Sequence, residues 1–229
     1  MAENKIFSGS QSQVFLEGEG DNWFRRNKSS LDSKEVFHEA ETIRRVLAAY
    51  KAKVGSILEI GCSNGAKLEA LCEFFDARGC GVDPSESAVN AGNAVFSQKG
   101  KGDKIQLGVS TAASLPYGTA SFDLVYFGFC LYLVDRDELY KTIAEADRVL
   151  KKGGFLAILD FDPGLRRKRE YHHRPGVFSY KTSHADFFTE GGHYYLVAKE
   201  SFSHGANHFS VDSDERVSLS VLYKEPDAY

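Results

Sequence analysis

From Ser56 onward the chain alternates short apolar runs with helix-length stretches. The first junction is glycine-rich, Ser56-Ile57-Leu58-Glu59-Ile60 running straight into Gly61-Cys62-Ser63-Asn64-Gly65. A short apolar strand that ends on a glycine turn and opens a helix is the start of a βαβ unit. The spacing predicts a helix from about Asn64 to Phe75 with Leu68, Leu71 and Phe75 on one side. A second strand at residues 79–82 stops at Asp83-Pro84, and Ser85 caps a helix that turns Ala88, Ala91 and Val95 inward. Residues 105–109 and 122–127 read as the third and fourth strands. Asp135 and Glu138 have capping-box spacing ahead of Leu139, Ile143, Ala146 and Leu150, and Gly153-Gly154 ends that helix. Residues 155–161 are almost all apolar, as in a central parallel strand covered on both faces. Alternation with right-handed crossovers gives a doubly wound α/β sheet.

The flanks are less regular. Residues 1 to about 30 read as irregular, with an aromatic-basic cluster Trp23-Phe24-Arg25-Arg26-Asn27. Asp32 and Glu35 have capping-box spacing before a stripe of Val36, Ala40, Ile43, Leu47 and Tyr50, which predicts a helix. After Asp162-Pro163 the chain turns polar and rich in His and Arg. Two alternating strands follow at residues 194–202 and 216–223, placed at the sheet edge and joined by a turn-like stretch at 203–215. The expected organisation is one domain over residues 1–229. Within it 1–55 forms an N-terminal cap or lid, 56–161 a cofactor-binding core, and 162–229 a substrate-side loop with edge strands.

The 229 residues are 42% hydrophobic and 26% charged, which is a soluble globular composition. The net charge of −4 lacks the basic surplus of a general nucleic-acid binder, so no nucleic-acid partner is expected. Cys62, Cys72, Cys80 and Cys130 form no Cys-x-x-Cys pair and have no His at finger-like spacing. They are expected to be buried free thiols with no metal. Neither a signal peptide nor a membrane span is visible, so the expected location is cytoplasmic and no membrane partner is expected.

A glycine loop at a helix N-terminus admits close backbone approach and favours anionic or nucleotide-like ligands. The dinucleotide fingerprint, however, needs a second glycine where this chain has Ser63. Glu59, two residues before Gly61, would repel a pyrophosphate but suits a cationic ammonium. Asp83 ends the second strand eighteen residues beyond Gly65, where an acid can accept both ribose hydroxyls.

The stretch from Ile57 to Phe161 resembles the core of the class I S-adenosylmethionine-dependent methyltransferases. Glu59-x-Gly61-x-Ser63-x-Gly65 is similar to their glycine loop, with Ser for the usual middle glycine, and Asp83 to their ribose acid. Thr111-Ala112-Ala113-Ser114-Leu115-Pro116-Tyr117 resembles their adenine-contacting segment, with Thr for the usual Asp. Phe122-Asp123-Leu124-Val125 and Arg148-Val149-Leu150-Lys151-Lys152-Gly153-Gly154 resemble two further motifs. The resemblance implies a seven-stranded, mostly parallel sheet of order 3-2-1-4-5-7-6, its seventh strand antiparallel, under an N-terminal helical cover. It implies S-adenosylmethionine as cofactor, held by Glu59, Gly61, Cys62, Ser63, Gly65, Asp83, Pro84, Thr111 and Ala112. Phe127 and Gly128 would border the methionine portion, and Asp123 would be structural. Residues 18–27 resemble an N-terminal signature of bacterial methyltransferases associated with cell-surface saccharide biosynthesis. Trp23 and Arg26 are then expected over the cofactor.

The expected activity is methyl transfer to the oxygen or nitrogen of a small-molecule or saccharide acceptor. Such a displacement rests on in-line positioning, and a hydroxyl nucleophile also needs a base. Candidate bases are Asp162, His172, His173 and Tyr132. Arg166-Arg167-Lys168-Arg169 is a candidate holder of an acceptor's anionic group, against the commoner role of a solvated loop. His204 and His208 are expected in a surface loop. Two alternatives are an NAD-dependent oxidoreductase, opposed by Ser63 and Glu59, and a non-catalytic cofactor-binding regulatory protein.

Overall fold

A computed structural model describes residues 9–32 and 37–227. An N-terminal arm is built of α1 (Gln11–Val14), a π turn (Phe15–Glu19) and α2 (Gly20–Asp32), followed by α3 (His38–Ala49). The alternating core then runs β1 (Ser56–Ile60), α4 (Ala66–Phe75), β2 (Arg78–Asp83), α5 (Glu86–Gln98), β3 (Ile105–Val109) and β4 (Phe122–Gly128). A 3-10 turn (Leu131–Leu133) leads to α6 (Arg136–Val149) and β5 (Leu150–Phe161). The remainder comprises a hairpin of β6 (Arg167–Glu170) and β7 (Phe178–Lys181), then α7 (Asp186–Thr189), β8 (Tyr194–Ser203) and β9 (Arg216–Lys224).

The main sheet has seven strands in the order β3-β2-β1-β4-β5-β9-β8. Pairing is parallel from β3 to β5, and β9 runs antiparallel to both of its neighbours. This is the sheet order the resemblance implies. One position needs correction. Residues 216–223 are an interior strand between β5 and β8, and of the two C-terminal strands β8 alone lies at an edge. Their Val/Leu–Ser alternation suggested a half-exposed strand, yet Ser218 and Ser220 are as buried as Val217 and Leu219. Small side chains can alternate in polarity without alternating in exposure.

Successive residues of each strand face opposite layers. Ile57, Leu124 and Tyr126 pack with α3, α4 and α5 through Ile43, Leu68 and Phe96. Leu58, Ile60, Val125 and Phe127 pack with α6 and α7 through Ala146, Val149 and Phe188. Asp123 has the structural part implied for it. Its Oδ2 accepts from the Gly55 and Ser56 backbone, and Lys151 pairs with Oδ1 at 2.8 Å.

The N-terminal arm corrects the irregular reading of residues 1 to 30, since residues 11–32 are helical with one kink. Gly18, at φ 141°, makes the kink. Tertiary contacts hold this polar arm. The Gln11 amide donates to the carbonyls of Leu133 and Phe178, and Asp21 Oδ1 accepts from the Ser85 hydroxyl and the Ser87 N–H. The predicted capping box at Asp135 and Glu138 has a different use. Neither acid caps α6 from its side chain; Asp135 accepts from Gln11 N and Glu138 from the Ser12 hydroxyl. Predicted caps thus serve as clamps for the arm. The capping box at Asp32 and Glu35, with Val36, lies outside the described residues and side chains. The described helix there begins at His38.

All four cysteines are free; Cys62 and Cys72 are buried, while Cys80 and Cys130 are half-buried. Among the described residues, no helix is long and apolar enough to cross a membrane.

Candidate active site

A cleft of about 1030 Å³ including its mouth lies over the carboxyl ends of β1, β2 and β4, under the N-terminal arm. That is the size of a cofactor site, and ligands of open α/β sheets lie at this switch point. Its floor is the β1–α4 loop, where Gly61 (φ 76°), Ser63 (φ 49°) and Gly65 (φ 74°) all adopt left-handed backbone. Ser63 thus holds left-handed backbone where the resemblance has glycine, against the steric cost of its Cβ. A side chain at Gly61 would be 2.7 Å from the Cys130 Cβ. The loop is held by Asp83, whose Oδ2 accepts from Ser63 N at 2.8 Å and Oδ1 from Ser85 N at 2.9 Å. Desolvation pushes the Asp83 carboxyl up to about 6, against those two hydrogen bonds.

Gly61, Cys62, Ser63, Asp83, Pro84, Thr111, Ala112, Gly128 and Trp23 of the expected cofactor residues line this cleft. Glu59, Gly65, Phe127 and Arg26 do not. Gly65 faces Phe96 and Leu107, which a Cβ there would meet at 3.0 Å, so it serves helix packing. Phe127 points into the α6 layer against Phe188, and its successors Gly128 and Phe129 border the cleft instead. Arg26 pairs with the buried Glu19 at 2.6 Å and donates to the Tyr171 hydroxyl, joining the arm to the segment before β7. Glu59 is fully buried, with neither carboxylate oxygen hydrogen-bonded. Burial raises its pKa to about 7, against the pull of the Lys67 ammonium 3.5 Å away.

The four candidate bases also lie outside the cleft lining. Tyr132 packs its ring on Phe129 and Phe161, and desolvation raises its hydroxyl further above the usual tyrosine range. Asp162 is committed to Lys199 at 2.7 Å. His172 and His173 are exposed, their rings 3.8 Å apart beside Tyr171. The basic run is not an open loop. It starts the β6–β7 hairpin, and Arg167 and Arg169 pair with Asp214, so the anion they hold is the protein's own. His204 and His208 are both exposed in the loop after β8, and His204 stacks on Phe129 at 5.4 Å.

Several lining residues were not singled out from the sequence: Lys67, Phe129, Leu133 and Val134, with Ser12 and Phe15 from the arm. Phe129 carries the best signal in retrospect. It directly follows the Phe127-Gly128 end of β4 and has φ 65°, a strained value for a bulky residue next to a ligand cleft. Beyond the loop, the lining is predominantly apolar, with Phe15, Trp23, Phe129, Leu133 and Val134 facing inward.

Comparison with known proteins agrees with this geometry. A family profile described as "Methyltransferase domain" matches residues 58–158. A 27-O-demethylrifamycin SV methyltransferase of Amycolatopsis mediterranei is 34% identical over 106 residues, 46% of this chain and 38% of that protein. An O-methyltransferase of Penicillium expansum is 29% identical over 45% of this chain and 37% of its own length. The alignments therefore span well under half of these relatives. Among solved structures, a Burkholderia thailandensis 1,6-didemethyltoxoflavin-N1-methyltransferase, with S-adenosylhomocysteine bound, superposes with a TM-score of 0.73. It covers 96% of this chain and 92% of that one at 15% identity. The [4+2]-cyclase SpnF matches with a TM-score of 0.69 at 15% identity, covering 97% and 99%. Residues 58–158 are thus similar to a methyltransferase domain, and the whole described chain has the fold of the S-adenosylhomocysteine-bound methyltransferase it superposes on.

Proposed function

We propose that this chain transfers a methyl group from S-adenosylmethionine to a nitrogen or oxygen of a small molecule with an apolar body. The observation that carries the reading is the floor of the cleft. Gly61 and Gly128 present bare backbone there, and a Cβ on Gly128 would stand 2.6 Å from Glu59 Oε1 and 2.9 Å from the Gly61 carbonyl. Such a cradle fits a ligand pressed against the main chain. Each Asp83 oxygen accepts one backbone N–H, from Ser63 and Ser85, and keeps a lone pair for ribose hydroxyls. Thr111 and Ala112 offer an uncharged adenine edge, and Trp23 with Phe15 roofs the cleft.

The cofactor supplies a methyl group on a sulfonium, whose neutral thioether leaves without an acid. What the chain contributes is position and exclusion of water, through the apolar side chains of Phe15, Trp23, Phe129, Leu133 and Val134 that line the cleft. Tyr132, Asp162, His172 and His173 stand outside that lining. The reading is therefore an acceptor atom that is already unprotonated near neutral pH, such as an aromatic amine, a ring nitrogen or an acidic phenol. The apolar lining supports a non-saccharide acceptor, because sugar hydroxyls buried there would lose their partners.

Release of S-adenosylhomocysteine, followed by mass spectrometry over a panel of aromatic amines, phenols and sugars, tests this reading. Turnover confined to apolar acceptors supports it; turnover confined to sugars overturns the acceptor class. The match to a [4+2]-cyclase keeps a second reading in view, a cofactor-holding protein with other chemistry. Binding of S-adenosylmethionine without methyl transfer to any acceptor class favours that reading. An NAD-dependent oxidoreductase is not favoured, since the Ser63 N–H at the second-glycine position already donates to the Asp83 carboxylate and is not free for a pyrophosphate.

A further inference from the structure

Lys67 stands in the first turn of α4, and its ammonium ends in a setting that needs an explanation. It lies 3.5 Å from Glu59 Oε1, 3.8 Å from Glu39 Oε1 and 5.5 Å from the Tyr126 ring centre. Both carboxylate contacts are long for charged hydrogen bonds, which form at about 2.7–2.9 Å. Burial disfavours the Lys67 charge, but Glu59 and Glu39 outweigh it and hold its pKa above the usual lysine value. Glu59 is sealed, with no exposed surface and two oxygens without hydrogen-bond partners, whereas Lys67 keeps some exposure and lines the cleft. Gly128 lines the same cleft and packs against both groups, since a Cβ there would stand 2.6 Å from Glu59 and 3.3 Å from the ammonium, but only Lys67 joins it in the lining. The group that meets a ligand is thus the cation, and the acids stand behind it.

We infer that Lys67 receives the carboxylate of the cofactor's methionine end, and that Glu59 and Glu39 position and charge Lys67 rather than touching the ligand. The inference rests on the cofactor reading above. It alters the part expected for Glu59, which acts through Lys67. An ammonium has three donors, and two long contacts to acids leave it able to turn a donor toward the cleft. The buried Glu59 and the half-buried Glu39 set two acids against one ammonium, so the lysine stays ionised before a ligand arrives. A ligand carboxylate then meets a preformed donor with little reorganisation. Glycine at position 128 is what keeps the ammonium within reach.

Calorimetry on the full chain tests this with two ligands that differ by one group, S-adenosylhomocysteine and its decarboxylated analogue. The unmodified protein is expected to prefer the carboxylate-bearing ligand by roughly 10- to 150-fold, the range for one charge-assisted hydrogen bond. In Lys67→Met the preference falls to within about threefold of unity, because only the carboxylate-bearing ligand weakens. Lys67→Gln replaces it if the Met variant does not fold, with the same outcome expected. Glu59→Gln should lower the preference while leaving the affinity for the decarboxylated analogue within about twofold. An unchanged preference in the Lys67 variants overturns the inference. So does an equal loss for both ligands in Glu59→Gln, which would make Glu59 the ammonium's direct partner. Failure of the unmodified chain to bind either ligand removes the cofactor reading, and this inference with it.

Discussion

The backbone N–H of Ser63 donates to Asp83 Oδ2 at 2.8 Å, fastening the loop after β1 to the end of β2. Asp83 therefore shapes the loop as well as offering acceptors to a ligand. The bond also steadies Ser63 in left-handed backbone at φ 49°, which a serine rarely adopts.

Asp83→Ala should weaken S-adenosylmethionine binding by about 1.5–3 kcal/mol, the range for lost charge-assisted hydrogen bonds. Titration calorimetry on a variant with an unchanged circular dichroism spectrum measures it. Unaltered affinity would take Asp83 out of the binding site.

Ser63→Gly should raise stability by about 1 kcal/mol. The strained φ is relieved, and a buried hydroxyl without a hydrogen-bond partner disappears. The extra freedom of glycine in the unfolded chain opposes part of this gain. Urea denaturation gives the difference; a loss of stability would mean that the serine makes a contact the fold depends on.

Gly61→Val should abolish cofactor binding and destabilise the fold by more than 2 kcal/mol. Its Cβ would fall 2.7 Å from the Cys130 Cβ in a residue already at φ 76°. Thermal melting with and without S-adenosylhomocysteine reads both effects. Ligand-induced stabilisation equal to that of the unmodified chain would contradict the loop assignment.

Glu59 predicts a pH dependence. Burial raises its pKa to about 7 in the ligand-free fold, above the unfolded value of about 4.3. The folded state then binds the extra proton, so this group's stabilising contribution is full below about pH 4 and is lost as pH rises through about 7. Glu59→Gln cannot lose that proton. Its stability relative to the unmodified chain should improve between pH 5 and pH 8, by on the order of 1–3 kcal/mol. A difference between the two proteins that is constant over this range would show Glu59 ionised throughout.

The core was legible because its signals are local. The run from Ser56 to Asp83, the Ser85 cap and the apolar β5 each follow from neighbouring residues, and the sheet order follows from their succession. The N-terminal helices were not, because their polar sequence is held by Asp135, Glu138 and the Leu133 carbonyl, more than a hundred residues away. Arg26 is hidden in a similar way, since it serves Tyr171, 145 residues away, and the nearby Glu19 rather than the cleft. For the site, the glycine loop and Asp83 could be placed by spacing from a strand end. Lys67 could not, since helical spacing does not reveal that its side chain lies against Glu59 and Gly128. The candidate bases failed to converge for a related reason. Residue type marks chemistry, but Asp162 and His173 are placed by β9 and the β6–β7 hairpin, whose docking the local sequence does not encode.

The most direct measurement is calorimetric titration of the full chain with S-adenosylhomocysteine, and separately with NAD⁺, at pH 7.5. The account predicts saturable binding of one S-adenosylhomocysteine per chain, lost in Gly61→Val, and no heat with NAD⁺. Saturable NAD⁺ binding with none for S-adenosylhomocysteine would contradict it.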